Sequence, residues 1–442
     1  MNNNPSVDIT ATNPGILPNM LNDVANDLNL TGVRWQFHGK QNPWTVDFSG
    51  SATGVVDWTK IDFTKTYNLG SGEPTMDLVK LADQVVNPFL TRVAANGFAS
   101  RVYVDPIFPS STQPSFWWSN SGKYATFALT GVLWLKGLTP LSHPATPIAV
   151  DRWAIVNEPD NAAAQSAMAI NSKAAAVSAL FATNNISTKI QIPEMFQLDA
   201  NFVLSAAGGL TNVGVISTHA YDYRDNTQPS AAQIAARNSV RATAQGIGAL
   251  TAATEICCWS NSVWTSTEIA ALAAARDIYW SMTELGVSDY QYFGTWFNPP
   301  GTFSCTNSVR QGNLIFLAHD LSAYFKCANY YVIRQYSHWI HPGYVRVAAT
   351  CSGCGIDPSF GLTVKPVAFR SPGGKIVVVV MNDQSASQAI SLAGLPAGSY
   401  DIVGVDPSNS TSPVTYPVQT IGAGQSLSLT FPAQAIVTFA QR

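Results

Sequence analysis

Residues 17–28 (LPNMLNDVANDL) and 76–97 (MDLVKLADQVVNPFLTRVAANG) carry apolar side chains at helical spacing, and each precedes a β-prone run, GVRWQFHG at 32–39 and SRVYVDPIF at 100–108. The rhythm repeats along the chain. Further strand candidates are DRWAIVNE, TKIQIPEM, VGVISTHAY, LTAATEICC and DYQYFGTW, with the helical stretch TSTEIAALAAARDIYWSMTELG between the last two. With VDIT (7–10) as the first, eight strands alternate with helices, which predicts an α/β fold: a (β/α)8 TIM barrel over residues 1–335. A doubly wound sheet would give a similar rhythm, so periodicity alone leaves both architectures open.

The pattern then changes. After about residue 345, YVRVAAT, VKPVAFRS, KIVVVVMN, QAISLAG, SYDIVGV, SLSLTF and AIVTFA read as strands separated by turn-rich SPGG, NDQS, LPAGS and IGAGQ. They predict a C-terminal side β-sandwich over 336–442, which N-terminal residues could complete. DPSNSTSPVT reads as a loop within that unit.

Composition narrows the function classes. The 442 residues include only 12% charged side chains, with a net charge of −3, against a usual charged share of about 25%. That excludes a basic nucleic-acid surface. No apolar run of about 18 residues suggests a membrane span, and the start MNNNPSVDIT lacks the basic and apolar segments of a signal peptide. Low charge, abundant small polar residues and 6 Cys nonetheless fit a secreted protein whose targeting segment is not in this sequence. Cys351 and Cys354, in CSGC, are expected to close a short disulfide loop, since no second close Cys pair completes a zinc set.

The sharpest local arrangement is Asn157-Glu158-Pro159-Asp160, directly after the apolar run WAIV. Glu158 would stand at a strand end, where a barrel keeps its site. Glu255, between LTAAT and ICCW, supplies a second strand-end carboxylate. Two such groups can share glycoside hydrolysis, one protonating the departing oxygen and the other acting as nucleophile or base. Arg34, His219, Tyr221 and Trp296 lie at other strand ends, offering hydrogen-bonding groups and an aromatic face to a sugar. Trp117 and Trp118 in PSFWWSNSG could form an outlying sugar-binding wall, while Trp44 and Trp259 are weaker candidates. There is no GxSxG elbow, HExxH pair or P-loop, so no cofactor or catalytic metal is expected.

On AIVNEPDN (154–161), ATEICCW (253–259), YYVIRQYSHWIHPGYVRV (330–347) and FRSPGGKIVVVVMN (369–382), the chain resembles glycoside hydrolase family 30 of the clan A hydrolases. The resemblance implies a catalytic barrel with a side β-sandwich and retaining hydrolysis of β-glycosidic bonds. It makes Glu158 the acid/base, Glu255 the nucleophile, and Asn157 a contact to the sugar 2-hydroxyl. It puts Arg34 near the nucleophile, His219 and Tyr221 in the supporting sixth-strand region, and Trp296 in the place of an eighth-strand sugar platform. TEICCW departs from the family's more usual sequence after the nucleophile, and the third-strand loop is unusual. The expected activity is a monomeric, endo-acting enzyme on a β-linked oligo- or polysaccharide such as xylan, β-1,6-galactan or β-1,6-glucan. An exo-β-glycosidase and a noncatalytic carbohydrate-binding protein are the alternatives.

Overall fold

The computed structural model describes residues 15–38, 54–60, 63, 78–107, 120–161, 165–219, 221, 229–256, 267–292, 296–297, 314–318, 320, 322–406 and 412–442. Seven parallel strands form one sheet in chain order: β1 Gly32–His38, β2 Arg101–Ile107, β3 Arg152–Ala154, β4 Lys189–Met195, β5 Val213–Thr218, β6 Leu250–Ile256 and β7 Asp289–Tyr292. Each falls within one of the runs expected to be a strand. VDIT lies outside the described residues. Helices between the strands cover the outside, and the architecture is a (β/α)8 barrel with a C-terminal sandwich.

Local chemistry explains where the barrel helices begin. Asn120, Ser166, Asp199 and Ser230 each accept a hydrogen bond from a first-turn backbone N–H with the side chain, and Ser230 forms a reciprocal capping box with Gln233. The helices Ser121–Leu135 and Ala167–Thr183 then bury Phe127, Val132, Ile170, Val177 and Phe181 in the main core. Inside the barrel the strands are polar as well as apolar. At their starts Arg152 donates to Asp289 at 2.7 Å and lies 4.4 Å above the Tyr103 ring, closing that end with an ion pair.

Short strands β8 Trp296–Phe297, β9 Ile315–Leu317 and β10 Tyr324–Lys326 form a small sheet before the helix Ala328–Ser337. The C-terminal unit follows with β11 Val345–Val347, β12 Ile356–Asp357, β13 Gly361–Leu362, β14 Val364–Arg370, β15 Ile376–Asn382, β16 Gln388–Leu392, β17 Gly398–Val405, β18 Val414–Ile421, β19 Leu427–Phe431 and β20 Ile436–Gln441. Its main sheet runs β11-β14-β15-β20-β17-β18, and β16 pairs with β19.

The uninterrupted apolar run of β15 has a direct explanation. Val377, Val379 and Met381 join the barrel's core, while Val378 and Val380 pack with Tyr400, Phe431 and Phe439 in the sandwich's own core. Successive side chains point to opposite faces, so a strand buried on both faces must be apolar throughout. A buried ion cluster joins the units: Asp383 accepts from Arg276 at 2.7 Å and from Lys365 at 2.6 Å. Strand β18 is not among the strand runs read from the sequence: it begins at Val414, within the last two residues of the segment read as a loop, and contains Pro417. Its edge position explains the tolerance, because an edge strand need not donate every N–H.

Cys351 and Cys354 are joined by a disulfide. Cys327 is also disulfide-bonded. Cys257, Cys258 and Cys305 lie outside the described residues.

Candidate active site

The C-terminal ends of six barrel strands bring charged side chains to one place. Arg34 of β1 is its hub. The guanidinium is 4% exposed and pairs with both Asp105 of β2 and Glu255 of β6. It also donates to Asn157 Oδ1 at 2.8 Å and stands 3.5 Å from Glu194 Oε2. Burial alone would weaken its charge, but the surrounding carboxylates overcome this and raise its proton affinity further.

His219 follows β5 and is fully buried. Its Nδ1 lies 3.0 Å from Glu158 Oε1, and its Nε2 lies 3.1 Å from Glu194 Oε2 and 3.8 Å from Glu255 Oε2. The acids outweigh the cost of burying a cation and the repulsion of Arg34, so the imidazole is pushed up to about 10. Tyr221 places its hydroxyl 3.5 Å from Glu255 Oε1. One oxygen each of Glu158 and Glu255 and a His219 ring nitrogen lie within 4.8 Å of one another.

Such a trio offers ligand atoms to a cation, yet each imidazole nitrogen already faces a carboxylate and Glu255 is paired with Arg34. The donor set fits a hydrogen-bonded charge network better than a metal cage.

Backbone irregularities aim these groups. Glu158 and Glu194 have φ of +48° and +59°, in the left-handed region that side chains other than glycine seldom adopt. Pairing between β4 and β5 shifts register between Pro193 and Met195, around Glu194, and that between β6 and β7 shifts between Ala253 and Ile256, around Glu255. Such irregularities turn a side chain that a regular strand would point elsewhere. Asp160 of the NEPD segment accepts from the backbone N–H groups of Phe196 and Gln197, both at 2.8 Å, and so ties the loop bearing Glu158 to the end of β4.

Two site residues were not singled out from the sequence. Asp105 and Glu194 are both wholly buried, and Glu194 accepts from Thr254 Oγ1 at 2.9 Å and from the Gln191 amide. An acid beside proline in an apolar strand, VYVDPI and IQIPEM, was the available signal. Their titrations diverge. Burial and the neighbouring acids push Asp105 up to about 7 against the pull of Arg34. Hydrogen bonding to His219 and the charge of Arg34 overcome burial and hold Glu194 at about 2.

Glu158 is held below its ordinary value, because its hydrogen bonds with His219 and Asn161 outweigh partial burial. An acid role for Glu158 therefore calls for its proton affinity to rise when substrate binds. Two basic side chains, Arg34 and His219, thus stand among the carboxyl groups of Asp105, Glu158, Glu194 and Glu255.

The structure thus brings together Arg34, Asn157, Glu158, His219, Tyr221 and Glu255. Trp296 lies in β8, and its side chain is outside the described residues. Trp44, Trp117, Trp118 and Trp259 are also outside them.

Residues 345–439 match the glycosyl hydrolase family 30 beta sandwich domain. The C-terminal sandwich is thus similar to that domain of family 30. Solved structures extend the likeness in fold across the chain. The catalytic domain of the family 30 xylanase C from Talaromyces cellulolyticus is 17% identical with a TM-score of 0.63, covering 98% of this chain and 93% of its own. A family 30 endoxylanase from Clostridium papyrosolvens is 18% identical with a TM-score of 0.60, covering 97% and 94%. The architecture also reaches beyond that family: a family 51 arabinofuranosidase from Xanthomonas axonopodis pv. citri is 13% identical with a TM-score of 0.59, covering 96% and 89%. No curated protein sequence matches the chain. The sandwich match covers the C-terminal unit, and the likeness of the barrel to these solved structures is one of fold.

Proposed function

We propose that this protein is a retaining, endo-acting β-glycoside hydrolase, with Glu158 as acid/base and Glu255 as nucleophile. The observation that carries this reading is the approach of one Glu158 oxygen and one Glu255 oxygen to within 4.8 Å. Retaining sites hold their carboxyl groups about 5–5.5 Å apart, whereas inverting sites need about 6.5–9.5 Å to admit water. A noncatalytic sugar-binding role would not require two facing acids, one paired with a buried arginine and the other hydrogen-bonded to a buried histidine.

Arg34 holds one oxygen of Glu255 and the Tyr221 hydroxyl orients the other for attack at the anomeric carbon. Attack forms a covalent glycosyl ester as Glu158 gives a proton to the departing oxygen. Water then enters, loses a proton to Glu158 and hydrolyses the ester with a second inversion, so the configuration is retained. Asn157 accepts from Arg34 with its amide oxygen, which leaves amide hydrogens to donate to a sugar hydroxyl. The carboxyl groups gathered around the anomeric carbon suit an oxocarbenium-like transition state.

The substrate class follows the resemblance: a neutral β-linked polysaccharide, among xylan, β-1,6-galactan and β-1,6-glucan. Two of the structural relatives are named as a xylanase and an endoxylanase. No described helix is long and apolar enough to cross a membrane. Disulfide bonding at Cys327, Cys351 and Cys354 supports work outside the cytoplasm. The protein is taken to act as a monomer without nucleic acid. Incubation with these three polysaccharides, followed by product sizing, tests the reading. Oligosaccharides released early are expected; exclusive monosaccharide release would favour exo action, and binding without products would contradict the enzyme.

A further inference from the structure

On the reading above, we propose that Glu158, His219 and Glu194 form a carboxylate–imidazole–carboxylate relay. In it His219 stores the proton that Glu158 delivers, and Glu194 is the positioning residue that keeps it stored.

The geometry carries the assignment. Nδ1 faces Glu158 at 3.0 Å and Nε2 faces Glu194 at 3.1 Å, and two ionised carboxylates leave both ring nitrogens as donors. Glu194 is buried and further held by Thr254, Gln191 and the nearby Arg34, so it keeps its charge while the proton moves. Among the described residues, the other charged groups facing the ring are Glu255 and Arg34, with Asp105 behind Arg34 and the Tyr221 ring edge-on at 5.7 Å. The raised proton affinity of His219 and the lowered one of Glu158 agree with a proton resting on the imidazole in the free protein.

Substrate entry takes water from the partly exposed Glu158 and so raises its proton affinity. The Nδ1 proton then passes to Glu158 Oε1, leaving a neutral ring whose Nε2–H still donates to Glu194. Glu158 protonates the departing oxygen as its bond to the anomeric carbon breaks and the Glu255 ester forms. In the second half, the proton that Glu158 takes from water returns to Nδ1. No outside reactant is needed beyond substrate and water.

The test compares two β-glycosides of one sugar, one with a sugar leaving group and one with 2,4-dinitrophenol, which departs without protonation. For Glu194→Gln, kcat/KM on the first should fall about 10–100-fold, within the range of general acid catalysis, with its alkaline limb moved to lower pH. On the dinitrophenyl substrate it should change less than about threefold. Equal losses on both substrates, or no loss on either, would overturn the relay. A measurement on the unaltered protein guards against misfolding: nitrogen NMR of 15N-histidine-labelled protein should show His219 doubly protonated at pH 7.5. Its signal is identified by replacing each of the other five histidines in turn. A neutral His219 ring at that pH would also overturn the relay. If the unaltered protein cleaves neither glycoside, the hydrolase reading fails, while the NMR result still decides the charge on the ring.

Discussion

The backbone N–H of Glu158 donates to the carbonyl oxygen of Glu194 at 2.9 Å, and both residues stand in left-handed conformations. Two strained turns on neighbouring strands are thus latched to each other, and their side chains reach the same imidazole. Strain of this kind costs about 1–3 kcal/mol per residue and persists where surrounding contacts enforce it. Here those contacts are the Asp160 bonds and the His219 network.

Replacing either member of the acid pair isolates its role. Glu158→Gln should lower kcat on a sugar leaving group by about 10²–10⁴-fold, the usual span for a lost general acid, and should spare binding. Glu255→Gln should leave only trace turnover with any leaving group, since no ester can form. Steady-state rates on folded variants check this; near-normal turnover in either would remove that residue from its role.

Arg34 holds more than one acid in place, so its loss should be felt as stability as well as activity. Arg34→Met leaves Glu255 and Glu194 buried with less counter-charge and is expected to cost about 3–5 kcal/mol, read from urea unfolding. A loss below about 1 kcal/mol would mean that the acids are neutral or solvated in the folded protein.

The site also sets how stability varies with pH. His219 rises from an ordinary 6.5 to about 10 on folding, so its contribution is complete below 6.5 and is lost as pH rises through 10. Glu194 falls from 4.5 to about 2, so its contribution is present above 4.5 and is lost as pH falls through 2. Asp105 acts the other way: its rise from 3.8 to about 7 removes stability as pH climbs between those values. Urea unfolding from pH 7 to 10 should show stability falling by up to about 1.4 kcal/mol per pH unit, and His219→Gln should flatten that slope. An unchanged slope in the variant would contradict the buried imidazolium.

The seam between barrel and sandwich should be equally sensitive. Asp383→Ala strands Arg276 and Lys365 in a buried seam, and a loss of about 3–5 kcal/mol is expected in denaturant unfolding. Residues 1–335 expressed alone would expose the surface that Val377, Val379 and Met381 cover, so they should be poorly soluble or unstable. A stable, fully active fragment would count against structural dependence.

Much of this architecture was legible in the chain. Alternation of helical and β-prone runs located the seven described barrel strands, and KIVVVVMN reads as a strand, although its burial on both faces emerges only with the fold. Asn157, Glu158 and Glu255 stood out as polar residues at the ends of apolar strands. Asp105 and Glu194 did not, because their significance depends on Arg34 and His219, which are distant in sequence and close only once the barrel forms. The depressed proton affinity of Glu158 was hidden for the same reason: it arises from one imidazole and one amide, His219 and Asn161, of which His219 comes from another strand. Strand β18 was missed because edge strands do not need the apolar alternation that marks a buried one.

The most direct test of the account is the anomeric configuration of the first-formed product, followed by proton NMR during hydrolysis of a β-linked substrate. Two oxygens within 4.8 Å across the site predict that the β-anomer appears first and mutarotates afterwards. Initial release of the α-anomer would show single displacement by water and contradict the assignment of Glu255 as nucleophile.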